Sequence, residues 1–296
     1  MNPLQEYLEE QASWFTEQLP RFLPRDIPER LLQSMDYSLR AGGKRFRPIL
    51  LFSVLESIGK SRELGLETAV AIEMIHTYSL IHDDLPGMDN DDYRRGKLTN
   101  HKVFGEGMAI LAGDALLTWA FYLLSVLPDF HPELSHATSL LLIRKLAEAA
   151  GPTGMVGGQA LDLEAENKQL PLSELEKIHT HKTGDMIHFS AMAGAILGGA
   201  TTKQKEAFST YARKLGLAFQ IQDDILNIIG DEQKLGKRVG SDAQLGKSTY
   251  PALLGMEESI AYMNRLVDEA KKAIQIDGIK REHLHLLADY IVHRDK

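Results

Sequence analysis

No cysteine occurs anywhere in the 296 residues. A disulfide framework, a thiolate metal site and a cysteine nucleophile are thereby excluded, so any metal must be held by oxygen or imidazole, which suits hard cations such as Mg²⁺. An excess of positive charge is also missing: 33 Lys and Arg against 41 Asp and Glu leave a net charge of −8. A general nucleic-acid surface, which needs clustered cations on one face, is not expected. The opening Met1-Asn2-Pro3-Leu4-Gln5-Glu6 is acidic and lacks a basic region followed by an apolar core. No signal peptide is therefore expected, and the cytoplasm is the default compartment. No transmembrane segment is expected either, because no apolar run approaches the ~20 residues of a bilayer span; the nearest, Ser190 to Ala200, is short and rich in small residues. Alternating runs of β-branched residues are scarce, and no repeat, low-complexity tract or linker is evident.

Apolar residues instead recur at three- and four-residue spacing almost throughout, and at 44% hydrophobic content they can fill a large core. This predicts an all-α chain, with residues 1–296 forming a single domain. First helices are expected over residues 4–19 and 27–40, a buried helix over Gly113 to Leu127, and a turn over Asp129 to Glu133. Ser173-Glu174-Leu175-Glu176 and Thr201 to Gln204 read as capping boxes, the second opening a helix of about 27 residues. Four glycines between Gly151 and Gly158 suggest a kink or a close backbone approach before Gln159 and Asp162.

The informative stretch is Ile81 to Gly96, with five aspartates in the ten residues from Asp83 to Asp92, followed by Arg94 and Arg95. Between Glu63 and Tyr93 there is no Lys or Arg, so the helix carrying Glu67, Glu73, Asp83 and Asp84 offers its carboxylates no local cation. Pro86-Gly87 should end the preceding helix just past Asp84 and let Asp89 fold back. A second group, Gln220, Asp223, Asp224 and Asn227, lies about 140 residues downstream on a helix with no Lys or Arg from Leu215 to Gly230, which reads as buried nearly all round. Buried unpaired carboxylates are costly, and a metal ion is the usual remedy. Mg²⁺ takes one or two protein carboxylates and completes its shell with water and phosphate oxygens, so two such groups suit several ions on one diphosphate. Arginine matches phosphate bidentately, and Lys44, Arg45 and Arg47 beside a helix start make an anion site. His179 and His181, two apart, share no helix face and do not suggest a metal site.

Five motifs in order carry a resemblance: Gly43-Lys44-Arg45-Phe46-Arg47-Pro48, Asp83 to Asp89 with Arg94-Arg95, His181-Lys182-Thr183-Gly184, Phe219-Gln220 with Asp223-Asp224, and Lys247-Ser248-Thr249-Tyr250-Pro251. Together, from about residue 30 to 255, they resemble the trans-polyprenyl diphosphate synthases, in particular the bacterial farnesyl diphosphate synthases. The resemblance implies a bundle of roughly ten or more helices around a deep central cavity, a homodimer, and prenyl diphosphates as substrates. It implies a head-to-tail condensation of isopentenyl diphosphate with dimethylallyl and then geranyl diphosphate, by ionisation, condensation and proton loss. By position, it puts Asp83, Asp84, Asp89, Asp223 and Asp224 on Mg²⁺, three ions in all. Arg94, Lys182, Lys237 and Lys247 then hold the allylic diphosphate, and Lys44, Arg47, His76 and Arg95 hold isopentenyl diphosphate. Lys182, Thr183 and Gln220 lie at the reacting carbons, and Tyr78 with Ser79 sets product length. Asn227 stands where such chains often carry a third aspartate. A geranyl or geranylgeranyl synthase would share every motif, whereas a non-catalytic subunit should have lost aspartates or cations, and a terpene cyclase would not need Lys44, Arg47 and Arg95.

Overall fold

A computed structural model describes residues 3–230 and 247–294, and almost all regular structure in them is helical. The chain gathers into two compact units, Met1–Ile49 with Glu63–Ile143, and Leu50–Arg62 with Arg144–Lys296.

In the first unit, α1 (Pro3–Gln18) and a 3₁₀ turn at Leu19–Phe22 lead to α2 (Glu29–Leu39) and to the start of α3 (Phe46–Ser57). There follow α4 (Leu66–Asp83), a two-residue hairpin of β1 (Tyr93–Arg94) and β2 (Lys97–Leu98), α5 (Asn100–Phe104), α6 (Glu106–Ser125), α7 (Leu127–Phe130) and the start of α8 (His136–Ala150). The expected turn at Asp129 thus begins inside α7, because Pro128 fits a first helical turn where no backbone N–H is needed.

Helix α4 is the core of this unit. With no Gly or Pro before its end it propagates freely, and Ala69, Val70, Ile72, Met74 and Ile75 are fully buried. Each large apolar side chain among them contributes about 1.5–3 kcal/mol. The same helix buries Glu67, which accepts from His131 Nε2 at 2.8 Å, and Glu73. It packs against α6, which exposes Ile110, Leu111 and Tyr122 elsewhere on its surface. Among the described helices α6 alone is long and apolar enough to cross a membrane by length and composition, with 39% of its apolar window buried, so the nearest approach to a bilayer span is here rather than at Ser190 to Ala200. Small residues and Asp114 cut it into short apolar runs, so its overall apolar character emerges only over the whole helix.

The second unit holds the rest of α3 and α8, then α9 (Met155–Glu164), α10 (Leu172–His179), a π turn at Thr180–Gly184 and α11 (Asp185–Leu197). It closes with α12 (Thr202–Ile229), α13 (Tyr250–Leu254), α14 (Met256–Ala273) and α15 (Glu282–His293). Helix α12 is the axis, packed on α11 and α14 through buried Phe208, Tyr211, Leu215, Ala218 and Ile225. The capping box at Thr201 and Gln204 forms in both directions. The one at Ser173 does not: Pro171 is the N-cap, and Ser173 already lies inside α10, where its hydroxyl cannot reach the first amides. Nor is α12 buried all round, since Ile228 and Ile229 at its last turn are 50% and 64% exposed.

Candidate active site

Helix α4 delivers Asp83 as its last residue and Asp84 as its C-cap. Pro86 lacks the N–H to extend the ladder, so the chain turns, and the Asp89 amide donates to the Asp83 carbonyl at 2.8 Å. The expected fold-back is real, and it returns Asp89 to the helix end. Consecutive helical residues point about 100° apart, so Asp83 and Asp84 diverge. Asp83 is half-buried, whereas the Asp84 side chain is only 4% exposed and accepts Arg94 Nε at 2.7 Å and Nη2 at 2.6 Å. Burial pushes the Asp84 carboxyl above its usual range against the pull of Arg94. Arg94 also lies 3.5 Å from Asp91, and Asp92 pairs with Lys102 at 2.6 Å.

Positive φ at Arg95 (54°) and Gly96 (74°) makes the hairpin turn of the primed kind, which separates the two arginines. Arg94 faces the aspartates, whereas Arg95 donates to the Gly42 carbonyl of the loop that carries Lys44 and leads into Arg47 in the first turn of α3. His76 on α4 is half-buried beside this basic group. Burial first, and then the charges of Arg47, Arg95, Arg94 and Arg45, hold its imidazole neutral, well below the usual range. Tyr78 is buried with its ring edge-on to His82, and burial together with Asp83 pushes its phenol up to about 12. The Ser79 hydroxyl turns back to the His76 carbonyl at 3.0 Å.

In the second unit Asp223 is 42% exposed at its side chain and Asp224 9%. Gln220 Nε2 donates to Asp223 Oδ2 at 3.3 Å, and Arg294 Nη2 donates to its Oδ1 at 2.5 Å. The Arg294 guanidinium also sits 3.9 Å over the Phe219 ring. Asp224 accepts the Tyr250 amide at 2.9 Å, which anchors the start of α13, and faces His179 Nε2 at 3.6 Å. Asn227 is buried. Lys182 and Thr183 lie in the π turn, and the close approach expected near Gly158 occurs there: a Cβ on Gly158 would meet the Lys182 nitrogen at 2.2 Å. One turn further along α9, Asp162 Oδ2 accepts both Lys182 Nζ at 2.7 Å and Lys247 Nζ at 2.9 Å. Burial works against its charge, but the two lysines hold the carboxyl below its usual range. Lys237 lies outside the described residues.

Among the described residues no three acidic or histidine side chains converge as a metal cage. The donors around Asp83 and Asp89 are carboxylate oxygens on adjoining backbone, the set that Mg²⁺ accepts when a substrate supplies further oxygens.

Residues 28–283 match the polyprenyl synthetase family. The chain belongs to that family. The farnesyl diphosphate synthase of Geobacillus stearothermophilus is 53% identical over 279 residues, covering 93% of each chain. That of Bacillus subtilis is 49% identical over 97% of this chain and 95% of its own, and a geranylgeranyl diphosphate synthase of Cyanophora paradoxa is 45% identical over the full length of both. Among solved structures, the geranylgeranyl pyrophosphate synthetase of Pyrococcus horikoshii superposes with a TM-score of 0.85 at 31% identity over 98% of both chains. A farnesyl/geranylfarnesyl diphosphate synthase of Zymomonas mobilis gives 0.81 at 40% identity over 98% of this chain and 97% of that one. The polyprenyl synthetase thus has the all-α fold its helical periodicity predicts.

Three residues of this polyprenyl synthetase were absent from the sequence-derived site although the structure ties them to it. Asp162 bridges Lys182 and Lys247, Arg294 holds Asp223, and His179 faces Asp224. The glycine pair before Gln159 was the one signal for Asp162, and Arg294, in the tail beyond α15, had none.

Proposed function

We propose that this polyprenyl synthetase joins isopentenyl diphosphate head to tail to dimethylallyl diphosphate and then to geranyl diphosphate, releasing (2E,6E)-farnesyl diphosphate. Bacterial farnesyl diphosphate synthases at about half identity support the reaction. The observation that carries the product length is Tyr78: a buried aromatic five residues before Asp83 on α4. Five residues rise about 7.5 Å along a helix, roughly a short prenyl segment.

Asp83, Asp89 and Asp223 would hold up to three Mg²⁺ ions, with Asp84 and Asp224 fixing the backbone and cations around them. Magnesium, when bound, neutralises the charge that grows on the departing diphosphate. Arg94, Lys182, Lys247 and Lys237 bind that allylic diphosphate, and Arg94 and the two described lysines reach it by exchanging their present carboxylate partners for phosphate oxygens. Lys44, Arg47, Arg95 and neutral His76 bind the diphosphate of isopentenyl diphosphate; the uncharged imidazole donates one hydrogen bond without adding to the repulsion among the arginines. Thr183 and Gln220 direct oxygen dipoles at the allylic cation, and the apolar surface of α4 keeps water from it. Residues 1–296 are read as one polyprenyl synthase domain. A homodimer is supported by the exposed Ile110, Leu111 and Tyr122 of α6, an apolar stripe that a second copy would cover.

The test is product analysis with isopentenyl diphosphate and each allylic primer in turn. Farnesyl diphosphate should dominate, and Tyr78→Ala should shift products to longer chains. Geranylgeranyl diphosphate from the unaltered enzyme would overturn the chain length, and unshifted products from Tyr78→Ala would place the floor elsewhere.

A further inference from the structure

Arg45 and Glu73 have no role in the chemistry above, yet they form a buried ion pair, with side chains only 1% and 3% exposed. Arg45 Nη1 donates to Glu73 Oε1, and Nη2 donates to the Leu39 carbonyl at 2.8 Å. Arg45 also takes a left-handed φ of 51°, uncommon for a residue with a side chain. It sits in the loop between Lys44 and Arg47, so its backbone conformation sets the angle between those two cations. A second anchor lies alongside. Gly42 and Gly43 have φ of 92° and 117°, Arg95 donates to the Gly42 carbonyl, and a Cβ on Gly43 would fall 2.4 Å from the Arg95 guanidinium carbon.

Glu73 is also a buried carboxylate within a group of cations. It lies three residues before His76 on α4, where Arg45, Arg47, Arg94 and Arg95 all bear on the imidazole, and its charge acts on Arg95. A buried ion pair is a poor device for stability, since two apolar side chains of similar volume usually serve as well or better. A strained backbone residue adds a further cost. Both costs are borne at the one loop that presents Lys44 and Arg47.

We infer that the buried Arg45–Glu73 pair is a positioning element for the isopentenyl diphosphate site, holding the left-handed turn that sets Lys44 against Arg47 and offsetting the repulsion among the cations before the anion arrives. Neither residue touches the substrate. The inference rests on the assignment of isopentenyl diphosphate to this group of cations.

The experiment measures KM for isopentenyl diphosphate and for geranyl diphosphate separately, with a melting curve for each variant. Glu73→Gln leaves Arg45 buried and unpaired and can fail to fold, so the deciding variant is Arg45→Met combined with Glu73→Leu, which replaces the pair by apolar volume. It should melt at or above the wild-type temperature, with KM for isopentenyl diphosphate raised about tenfold or more and KM for geranyl diphosphate changed less than about twofold. An unchanged KM for isopentenyl diphosphate in this folded variant overturns the inference, as does an equal rise in both constants. Wild-type enzyme that shows no saturation by isopentenyl diphosphate overturns the assignment of the site itself, and with it the inference.

Discussion

The two Asp-Asp pairs are built alike and supported differently. In each, the first aspartate is partly exposed and the second is turned inward, with Asp84 and Asp224 at 4% and 9% side-chain exposure. Asp84 is held by another side chain, Arg94, from a hairpin ten residues on, whereas Asp224 is held by a backbone amide, that of Tyr250. Two acids in a row are therefore placed differently: one is partly exposed, and its neighbour, about 100° round the helix, ties the helix to what packs beside it. The first pair sits at a helix end whose loop brings back a further acid, Asp89, while the second sits within α12 and has Arg294 against its outward member.

The sharpest break of this division of labour would come from the outward members. Asp83→Asn and Asp223→Asn should each lower turnover by about 10²- to 10³-fold if, as proposed above, their charge holds Mg²⁺ against the departing diphosphate. Their melting temperatures should stay near wild type, and near-normal turnover in either would dissolve the distinction. A smaller effect is expected from the inward member of the second pair. Asp224→Ala removes the acceptor of a buried amide and should cost about 1.5–3 kcal/mol in urea unfolding, and Asp224→Asn, which keeps an oxygen, should recover most of it. Equal losses in both variants would mean that the charge matters there rather than the acceptor.

A further comparison is between half-buried histidines, one in each unit. His188, bonded to Ser209 at 2.8 Å, is pushed by burial down to about 4, while His76 is held low by burial and by arginines as well. With a folded pKa below the unfolded value near 6.5, the unfolded chain takes up the proton first as pH falls. The stabilisation from His188 is thus complete above pH 6.5 and is lost towards pH 4, at most about 3 kcal/mol. His188→Gln should flatten that part of a stability-versus-pH curve, and an unchanged slope would assign the acid sensitivity to other groups.

Features encoded within a few residues were legible from sequence. The end of α4 at Asp83, the return of Asp89, and the Thr201 capping box each follow from a proline, a glycine or a cap at fixed offset. The candidate cations could be named by type, because Arg94 and Arg95 adjoin the aspartates and Lys44 and Arg47 adjoin a helix start. Partners distant in sequence were not: Arg294 reaches Asp223 from 71 residues away, and Lys247 reaches Asp162 from 85. Nor was the inward turn of Asp84 and Asp224 readable, since it depends on what packs against the helix. The failure at Ser173 has a local cause, a proline two residues earlier that takes the N-cap position itself.

The π turn at Thr180–Gly184 bears on how this chain tolerates changes of length. Its hydrogen bonds skip one residue more than those of the helices on either side, so it is equivalent to a single residue inserted into a rod running from Leu172 to Leu197. Losing one residue there would close the ladder into a regular helix and leave the rod beyond it nearly in phase, because the wider turn takes up about the rotation of one residue. What would change is the turn itself, which carries Lys182 and Thr183. In this segment a deletion is absorbed rather than passed on: the packing of α11 is kept, and the lysine that meets Asp162 is displaced.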